Sequence, residues 1–162
     1  MTKKQGDVSL LNDPLAQQLL KSDNMAHLAY NWKDGTPRVI PIWFHWDGKN
    51  VVIVSPEGAP KLNILENGQQ VAISIDEKTW PYYALYIRGP IMFDWVNGVA
   101  EEYIAAAKRY LGEEAGSGWV NQVRSLVEKT GRITVKPEWV GLIHLETRLP
   151  SAVEKAIARA SR

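Results

Sequence analysis

The residue types best suited to chemistry lie in residues 38–61. Arg38 stands in a run of β-forming residues, Ser55 ends a second such run, and Lys61 follows Pro60 at the predicted start of a helix. Two cations, a hydroxyl group and free helix amides are the groups that bind a phosphate monoester. Spacing alone leaves an alternative open, in which Arg38 and Lys61 are solvated surface charges.

Aromatic residues form a second group of candidates, with seven Trp and six Tyr in 162 residues. Flat side chains in such number suit either a dense core or a planar ligand. Trp80, Tyr82 and Tyr83 lie close together and could wall an aromatic pocket, although burial in a core or a dimer contact explains them equally well.

Several classes of function are disfavoured by composition. The absence of cysteine excludes disulfides, thiolate metal sites and a thiol nucleophile. The three histidines, at positions 27, 45 and 144, are too dispersed for a recognisable metal motif, so we expect no metal. Lys and Arg number 19 against 18 for Asp and Glu, and this balance predicts neither a nucleic-acid nor a membrane partner.

The chain also shows no targeting signal. The pair Leu10 and Leu11 is too short for the core of a signal peptide. Arg88 and the Gly89-Pro90 pair interrupt the longest apolar stretch, which stays far below the length of a membrane span. We therefore expect a cytoplasmic protein.

Turn residues in the first half predict a helix followed by successive strands. Asp13 caps a helix that begins at Pro14 and ends near residues 23–24. Asp34-Gly35 is the turn of a hairpin, and residues 47–50 form a second turn that leads into a strand at 51–55. These three strands are expected to form a meander.

The middle of the chain predicts a short helix and two longer strands. The helix begins at Pro60 and stops at residues 67–68. Strands follow at 71–76 and 84–95, and Gly89-Pro90 marks a bend inside the second of them, as at the corner of a barrel.

The remaining residues predict two helical segments, a hairpin and a terminal helix. The helical segments cover 99–111 and 119–127, separated by the glycines of residues 116–118. Strands at 133–135 and 140–145 flank a Lys-Pro-Glu turn, and a capping box of Ser151 and Glu154 starts a helix over about 151–161. Glu101, Glu102, Lys108 and Arg109 are expected on an exposed helix face.

This order of elements predicts a mainly β fold, an antiparallel barrel with peripheral helices, because strands do not alternate regularly with helices. We find no internal repeat and no linker to a second domain, so residues 1–162 are expected to form a single domain.

An ordered set of motifs between Arg38 and Gly89 adds a resemblance. The set consists of Arg38-Val39-Ile40-Pro41-Ile42-Trp43-Phe44, Asp47-Gly48, residues 51–55, Lys61, Leu65-x-Asn67, residues 71–75 and Ile87-Arg88-Gly89. In order and type, residues 13–148 resemble the pyridoxamine phosphate oxidase-related, FMN-binding split-barrel superfamily.

The resemblance implies a split barrel that works as a homodimer and binds FMN, or a deazaflavin coenzyme, in clefts between its subunits. It assigns cofactor contacts to seven positions: Arg38 and Lys61 at the phosphate, Ser55 beside it, the backbone of Val39, Ile40 and Pro41 along the ring edge, and Trp43 near the ring.

The chain departs from the pyridoxamine phosphate oxidases themselves at two places. Pro60 stands where they carry a second basic residue, and their C-terminal Arg-x-His pattern is missing. The hypothesis is therefore a flavin-dependent oxidoreductase that moves hydride to or from a different small or planar substrate. A non-catalytic carrier or sensor of flavin or haem is the alternative, and a purely structural dimerisation module is a third.

Overall fold

The computed structural model describes residues 4–161, and eight strands within this range form one open, antiparallel sheet. The strand order is β2-β1-β5-β6-β7-β4-β3, and β8 pairs with β6 beside this path. The predicted mainly β split barrel with peripheral helices is confirmed. The strands are β1 Ala26–Asn31, β2 Pro37–Ile42, β3 His45–Trp46, β4 Val51–Pro56, β5 Gln70–Glu77, β6 Tyr83–Asn97, β7 Lys129–Val135 and β8 Trp139–His144.

Among the described residues, one α-helix precedes the strands, two lie between β6 and β7 and one follows β8, and all four occur where the sequence predicts helical segments. They are α1 Pro14–Lys21, α2 Glu101–Leu111, α3 Glu113–Leu126 and α4 Ser151–Ala160. The Asp13 side chain accepts a hydrogen bond from the amide of Leu15, which confirms the predicted cap of α1. Over residues 4–161, none of the helices has both the length and the apolar character that crossing a bilayer requires.

Strand β4 is buried on both faces, which explains its uninterrupted apolar sequence. Val51 and Ile53 point into the main core, which the sheet encloses. Val52 and Val54 point the other way and pack against α2 and α3 in a second apolar cluster with Tyr103. The α2 and α3 helices are therefore attached to the sheet through the outer face of β4.

Strand β6 has two successive partners, and this corrects the predicted late hairpin. Ile91 to Asn97 pair with β7, whereas Tyr83 to Arg88 pair with β8. The segment Lys136-Pro137-Glu138 is thus not a hairpin turn. It is a bulge between β7 and β8, which both pair with β6. The amide of Lys136 donates to the carbonyl of Pro90, and that of Glu138 donates to the carbonyl of Arg88.

The predicted meander is also wrong. Strands β1 and β2 do form a hairpin, in which Asn31 lies opposite Pro37. Strand β4 pairs with β3 and β7 and lies near the other end of the strand order. Later strands lie between this hairpin and β4 in the sheet, because the second neighbour of β1 is β5.

Three helix details differ from the sequence-based expectation. The segment after Pro60 is only a 3-10 turn, Pro60–Asn63. Helix α3 runs through residues 116–118, and the break falls instead at Gly112, whose φ of 86° ends α2. The capping box is absent, since Ser151 is already helical and no side chain caps α4.

Gly89 permits the close crossing at the bulge of β6. A Cβ atom at this position would lie 1.8 Å from the carbonyl oxygen of Lys136. We expect Gly89→Ala to lower the free energy of unfolding by about 3 kcal/mol or more, because two backbones must separate. Gly118 in α3 is a matched control, since its added Cβ would meet nothing within 4 Å. Gly118→Ala should raise the free energy of unfolding by about 0.5–1 kcal/mol. Equal urea midpoints for the two variants would contradict this account.

Candidate functional site

The free edge of β2 carries an unusual set of backbone groups. No described strand pairs with this edge, and Pro37 and Pro41 are two residues of the strand. Antiparallel pairs alternate between residues that exchange hydrogen bonds with the neighbour and residues whose backbone groups point away. Proline cannot donate, so Pro37, Val39 and Pro41 occupy the outward positions. The edge therefore presents the N–H of Val39 between prolines, together with outward carbonyl groups.

The outer face of the sheet beside this edge is built from small residues. The register places Val39 opposite Ala29, Ala29 opposite Ala72 and Ala72 opposite Arg88. A cavity of about 160 Å³ lies over this row, and we call it the sheet cavity. Its lining residues are His27, Ala29, Val39, Ala72, Ile73, Ser74, Tyr86, Ile87 and Arg88. It offers a shallow, largely apolar surface with a cation at one end.

Trp43, immediately after β2, is held in place by an aromatic stack. Its ring lies parallel to that of Tyr110, with 5.2 Å between centroids. The Tyr110 hydroxyl donates to the carbonyl of Asn24 at 2.9 Å. The guanidinium of Arg109 lies over the rings of Tyr110 and Phe44 and donates to the carbonyls of Ser22 and Phe44. Arg109 is therefore a structural residue and not part of the exposed helix face that the sequence predicts.

A second cavity, of about 270 Å³, opens where β2 ends, and we call it the aromatic cavity. Trp43, Tyr103 and Trp119 supply its rings, and the indole N–H of Trp119 donates to the Tyr103 hydroxyl at 2.8 Å. The other lining residues are Met25, Pro41, Ile42 and Val54. From the sequence, Tyr103 and Trp119 are predicted only to lie within the helical segments 99–111 and 119–127. No local sequence signal places them beside Trp43, because only the packing of α2 and α3 on β4 does so.

The three residues predicted at a phosphate lie in different parts of the sheet. Arg38 is exposed on β2, where it donates to Thr36 Oγ1 at 2.6 Å and lies over the Trp32 ring. Ser55 is buried on β4, opposite Gly131 of β7. Lys61 is partly buried in the 3-10 turn, and burial lowers the pKa of its ammonium group. Strand pairing alone does not join Arg38 to Lys61, so the shared phosphate site stays a prediction.

The predicted aromatic wall of Trp80, Tyr82 and Tyr83 is divided between two environments. Trp80 is 69% exposed, whereas Tyr83 is buried against the ring of His144 at 5.8 Å between centroids. Burial and an interaction with Tyr86 raise the pKa of Tyr82 to about 12. Tyr82 interacts with Tyr86, which lines the sheet cavity, but Trp80, Tyr82 and Tyr83 are not themselves lining residues of that cavity.

Two further arginines, Arg132 and Arg88, have structural partners. Arg132 binds Asp94 at 2.7 Å and Glu102 at 3.1 Å, so Glu102 is not simply a solvated residue. Arg88 lies 4.0 Å above the centre of the Trp139 ring. Within residues 4–161 there is no group of three or more His, Cys, Asp or Glu side chains arranged to hold a metal ion.

Comparison with known proteins identifies the fold. No protein-family model matches the chain, and no curated protein matches it either. Solved structures do match. An F420 reductase is 27% identical, with a TM-score of 0.58, over 77% of this chain and 94% of that one. The FAD and haem binding protein of Mycobacterium smegmatis is 19% identical, with a TM-score of 0.58, over 96% and 80% of the two chains.

A third solved structure with the same fold is described as a member of the pyridoxinephosphate oxidase family. It is a Clostridium acetobutylicum protein related to a general stress protein. The two chains are 13% identical, with a TM-score of 0.56, over 85% of this chain and 90% of that one. The chain thus has the fold of the pyridoxamine phosphate oxidase-related, FMN-binding split-barrel superfamily, as its sequence predicts.

Proposed function

We propose that this protein binds a flavin-type cofactor, FMN or a deazaflavin coenzyme, along the free edge of β2 and transfers hydride to or from a small planar substrate. The observation that carries the proposal is the pattern of backbone groups at this edge. The N–H of Val39 stands between carbonyl groups, and the two flanking prolines prevent another strand from pairing there.

The chemistry of this edge fits the ring of such a cofactor. Flavins and deazaflavins share a pyrimidine edge on which carbonyl and N–H groups alternate, and this edge is complementary to the outward N–H and carbonyl of Val39. When bound, the cofactor supplies the hydride chemistry, and the protein supplies binding and orientation. Val39, Ile40 and Pro41 are thus the residues that would position the ring.

The phosphate of FMN would be bound by Arg38 and Lys61, with the hydroxyl of Ser55 beside it. Burial disfavours the charged form of Lys61, and a bound phosphate dianion would offset this penalty. In this arrangement no side chain needs to act as a nucleophile.

A second copy of the chain completes the proposed site. The sheet cavity is shallow, and Val39 beside it is 66% exposed. A cofactor ring on this face is shielded from water only if a second wall covers its other side. In an isologous dimer, the same surface of the partner supplies that wall. We therefore propose a homodimer with two equivalent clefts. Sedimentation that shows only monomers with cofactor bound would contradict this arrangement.

The similarity to an F420 reductase at 27% identity supports catalysis over simple storage. The second candidate is a carrier or sensor, because the fold is shared with a protein that binds FAD and haem. A haem could take His27, a partly exposed lining residue of the sheet cavity, as its ligand. Pyridoxamine phosphate oxidation remains excluded from the proposal, since Pro60 and the missing Arg-x-His pattern remove groups that the oxidases use.

The first test identifies the cofactor by the absorption spectrum and mass of the small molecule released from the denatured protein. We expect FMN or a deazaflavin. If FMN is released, a nicotinamide donor should bleach the bound flavin. Released haem, or failure of both nicotinamide and reduced deazaflavin donors to support any reduction, would favour the carrier.

The second test changes the backbone donor of β2. Val39→Pro removes the outward N–H without removing a bond to β1, so the strand should still pair. We expect it to weaken FMN and riboflavin equally, by about 3- to 10-fold, because the ring loses one hydrogen bond and the phosphate loses none. Val39→Ala keeps the N–H and serves as the control. Titration of protein fluorescence measures both ligands, and equal affinities for the two variants would show that this amide does not bind the ring.

The third test separates phosphate binding from ring binding. Arg38→Ala and Lys61→Ala should each weaken FMN by about 10- to 100-fold, the worth of a charge-assisted hydrogen bond, and leave riboflavin nearly unchanged. Lys49→Ala, in the exposed turn between β3 and β4, is the control for a general loss of positive charge. Parallel losses for FMN and riboflavin would assign both cations another role.

A further inference from the structure

We propose that the aromatic cavity binds the second substrate, a flat and uncharged molecule of one or two rings that carries an oxygen or nitrogen acceptor of hydrogen bonds. This inference rests on the proposed function, because it adds a substrate site next to the proposed cofactor site. Pro41 joins the two, since it belongs to the β2 edge and also lines the aromatic cavity.

The lining selects an uncharged ligand. None of the seven lining residues is ionised at neutral pH, and four of them have side chains without a hydrogen-bond donor: Met25, Pro41, Ile42 and Val54. A charged ligand would lose water there without gaining a counter-ion from the walls. A flat aromatic ligand instead gains contact area against Trp43, Tyr103 and Trp119.

The Tyr103 hydroxyl supplies one directional contact. It accepts the indole N–H of Trp119, and a phenolic hydroxyl can donate its own proton at the same time. No described residue accepts that proton. Burial raises the pKa of Tyr103, so the hydroxyl keeps its proton at neutral pH. The cavity thus combines aromatic rings with a hydroxyl donor held in place by Trp119, which favours a ligand that carries an acceptor atom.

The walls are positioned before any ligand arrives. Trp43 is fixed by its stack on Tyr110, and α2 is fixed against α3 at Gly116, where an added Cβ would lie 2.7 Å from Lys108 Cα. Trp119 remains 41% exposed, so its ring forms a partly open mouth. A rigid site with an accessible mouth loses little conformational entropy when a flat ligand enters.

The size of the aromatic cavity limits its ligand to a small molecule. Its volume of about 270 Å³ lies just under the range of roughly 300–1,000 Å³ that is usual for larger ligands. A one- or two-ring molecule fits this space, whereas a tricyclic ring with its ribityl phosphate chain does not. The sheet cavity, at about 160 Å³, is smaller still, so volume does not assign the cofactor. The backbone groups of the β2 edge assign the cofactor there, and the aromatic cavity is left for a smaller substrate.

A matched pair of probes tests the assignment by calorimetry on the full chain, with and without FMN. 2-Acetonaphthone has a flat ring system and one carbonyl acceptor, and 2-ethylnaphthalene has the same shape without the acceptor. We expect the ketone to bind about 3- to 10-fold more tightly. Tyr103→Phe should abolish this preference and leave the affinity for 2-ethylnaphthalene unchanged. A loss of affinity for both probes, or a preference that survives in Tyr103→Phe, would overturn the role of the hydroxyl.

Two tryptophan variants locate the probe. Trp119→Ala should weaken both probes by about 2- to 10-fold, because both lose an aromatic wall. Trp95 on β6 does not line the cavity and is exposed to a similar degree, 44% against 41%, so Trp95→Ala should leave both affinities unchanged. Both sites are substantially exposed, and neither variant should prevent folding. Equal effects of the two variants would overturn the assignment.

The outcomes also separate this inference from the proposed function. Competition between FMN and 2-acetonaphthone for one site would show that the cavity holds the cofactor, and would overturn the inference while leaving flavin binding intact. Conversely, a protein that shows the expected pattern of probe affinities but binds no flavin or deazaflavin would overturn the proposed function while confirming a site for planar ligands in the aromatic cavity.

Discussion

The close contact between Gly89 and the carbonyl of Lys136 is the constraint on which the rest of the structure depends. At this point β6 passes from one partner to another, pairing with β8 on one side of the glycine and with β7 on the other. One long strand thereby belongs to both halves of the barrel. The half that contains β1, β2 and β5 carries the sheet cavity, and the half that contains β4 and β7 carries α2 and α3. The relative position of the two halves follows from this crossing.

The edge of β2 gains its chemical character from two missing donors. A normal edge strand presents a row of N–H and carbonyl groups that any other strand can pair with. Here Pro37 and Pro41 interrupt the row, so the edge is protected from strand addition and still offers one amide and several carbonyls. A small heterocycle with a matching edge can use these groups, and an extended peptide cannot. The same two prolines thus protect the edge from strand addition and, in the proposed function, restrict it to a small ligand.

The aromatic cavity depends on the outer face of β4. Because Val52 and Val54 are apolar on the side that would otherwise meet water, α2 and α3 must cover them. Covering this face brings Tyr103 from α2 and Trp119 from α3 to Trp43, which the Tyr110 stack and Arg109 hold at the end of β2. The cavity is therefore a consequence of burying both faces of one strand, and the proposed substrate site lies beside the proposed cofactor edge for the same reason.

The sequence by itself determined the local features of this protein. Turn and cap chemistry involves neighbouring residues, so the Asp13 cap, the Asp34-Gly35 hairpin and the bend at Gly89-Pro90 could all be predicted. The ordered motifs from Arg38 to Gly89 also indicated the superfamily and its mainly β architecture. Only the tertiary structure decided which strands pair. Strands β7 and β8 both pair with β6 instead of pairing with each other. Strand β5, and not a strand of the predicted meander, is the second neighbour of β1. Pairing depends on the burial of apolar faces that are distant in the sequence, which local patterns do not show. For the same reason Tyr103 and Trp119, which the sequence places only within predicted helical segments, line a cavity that no spacing in the sequence could have revealed.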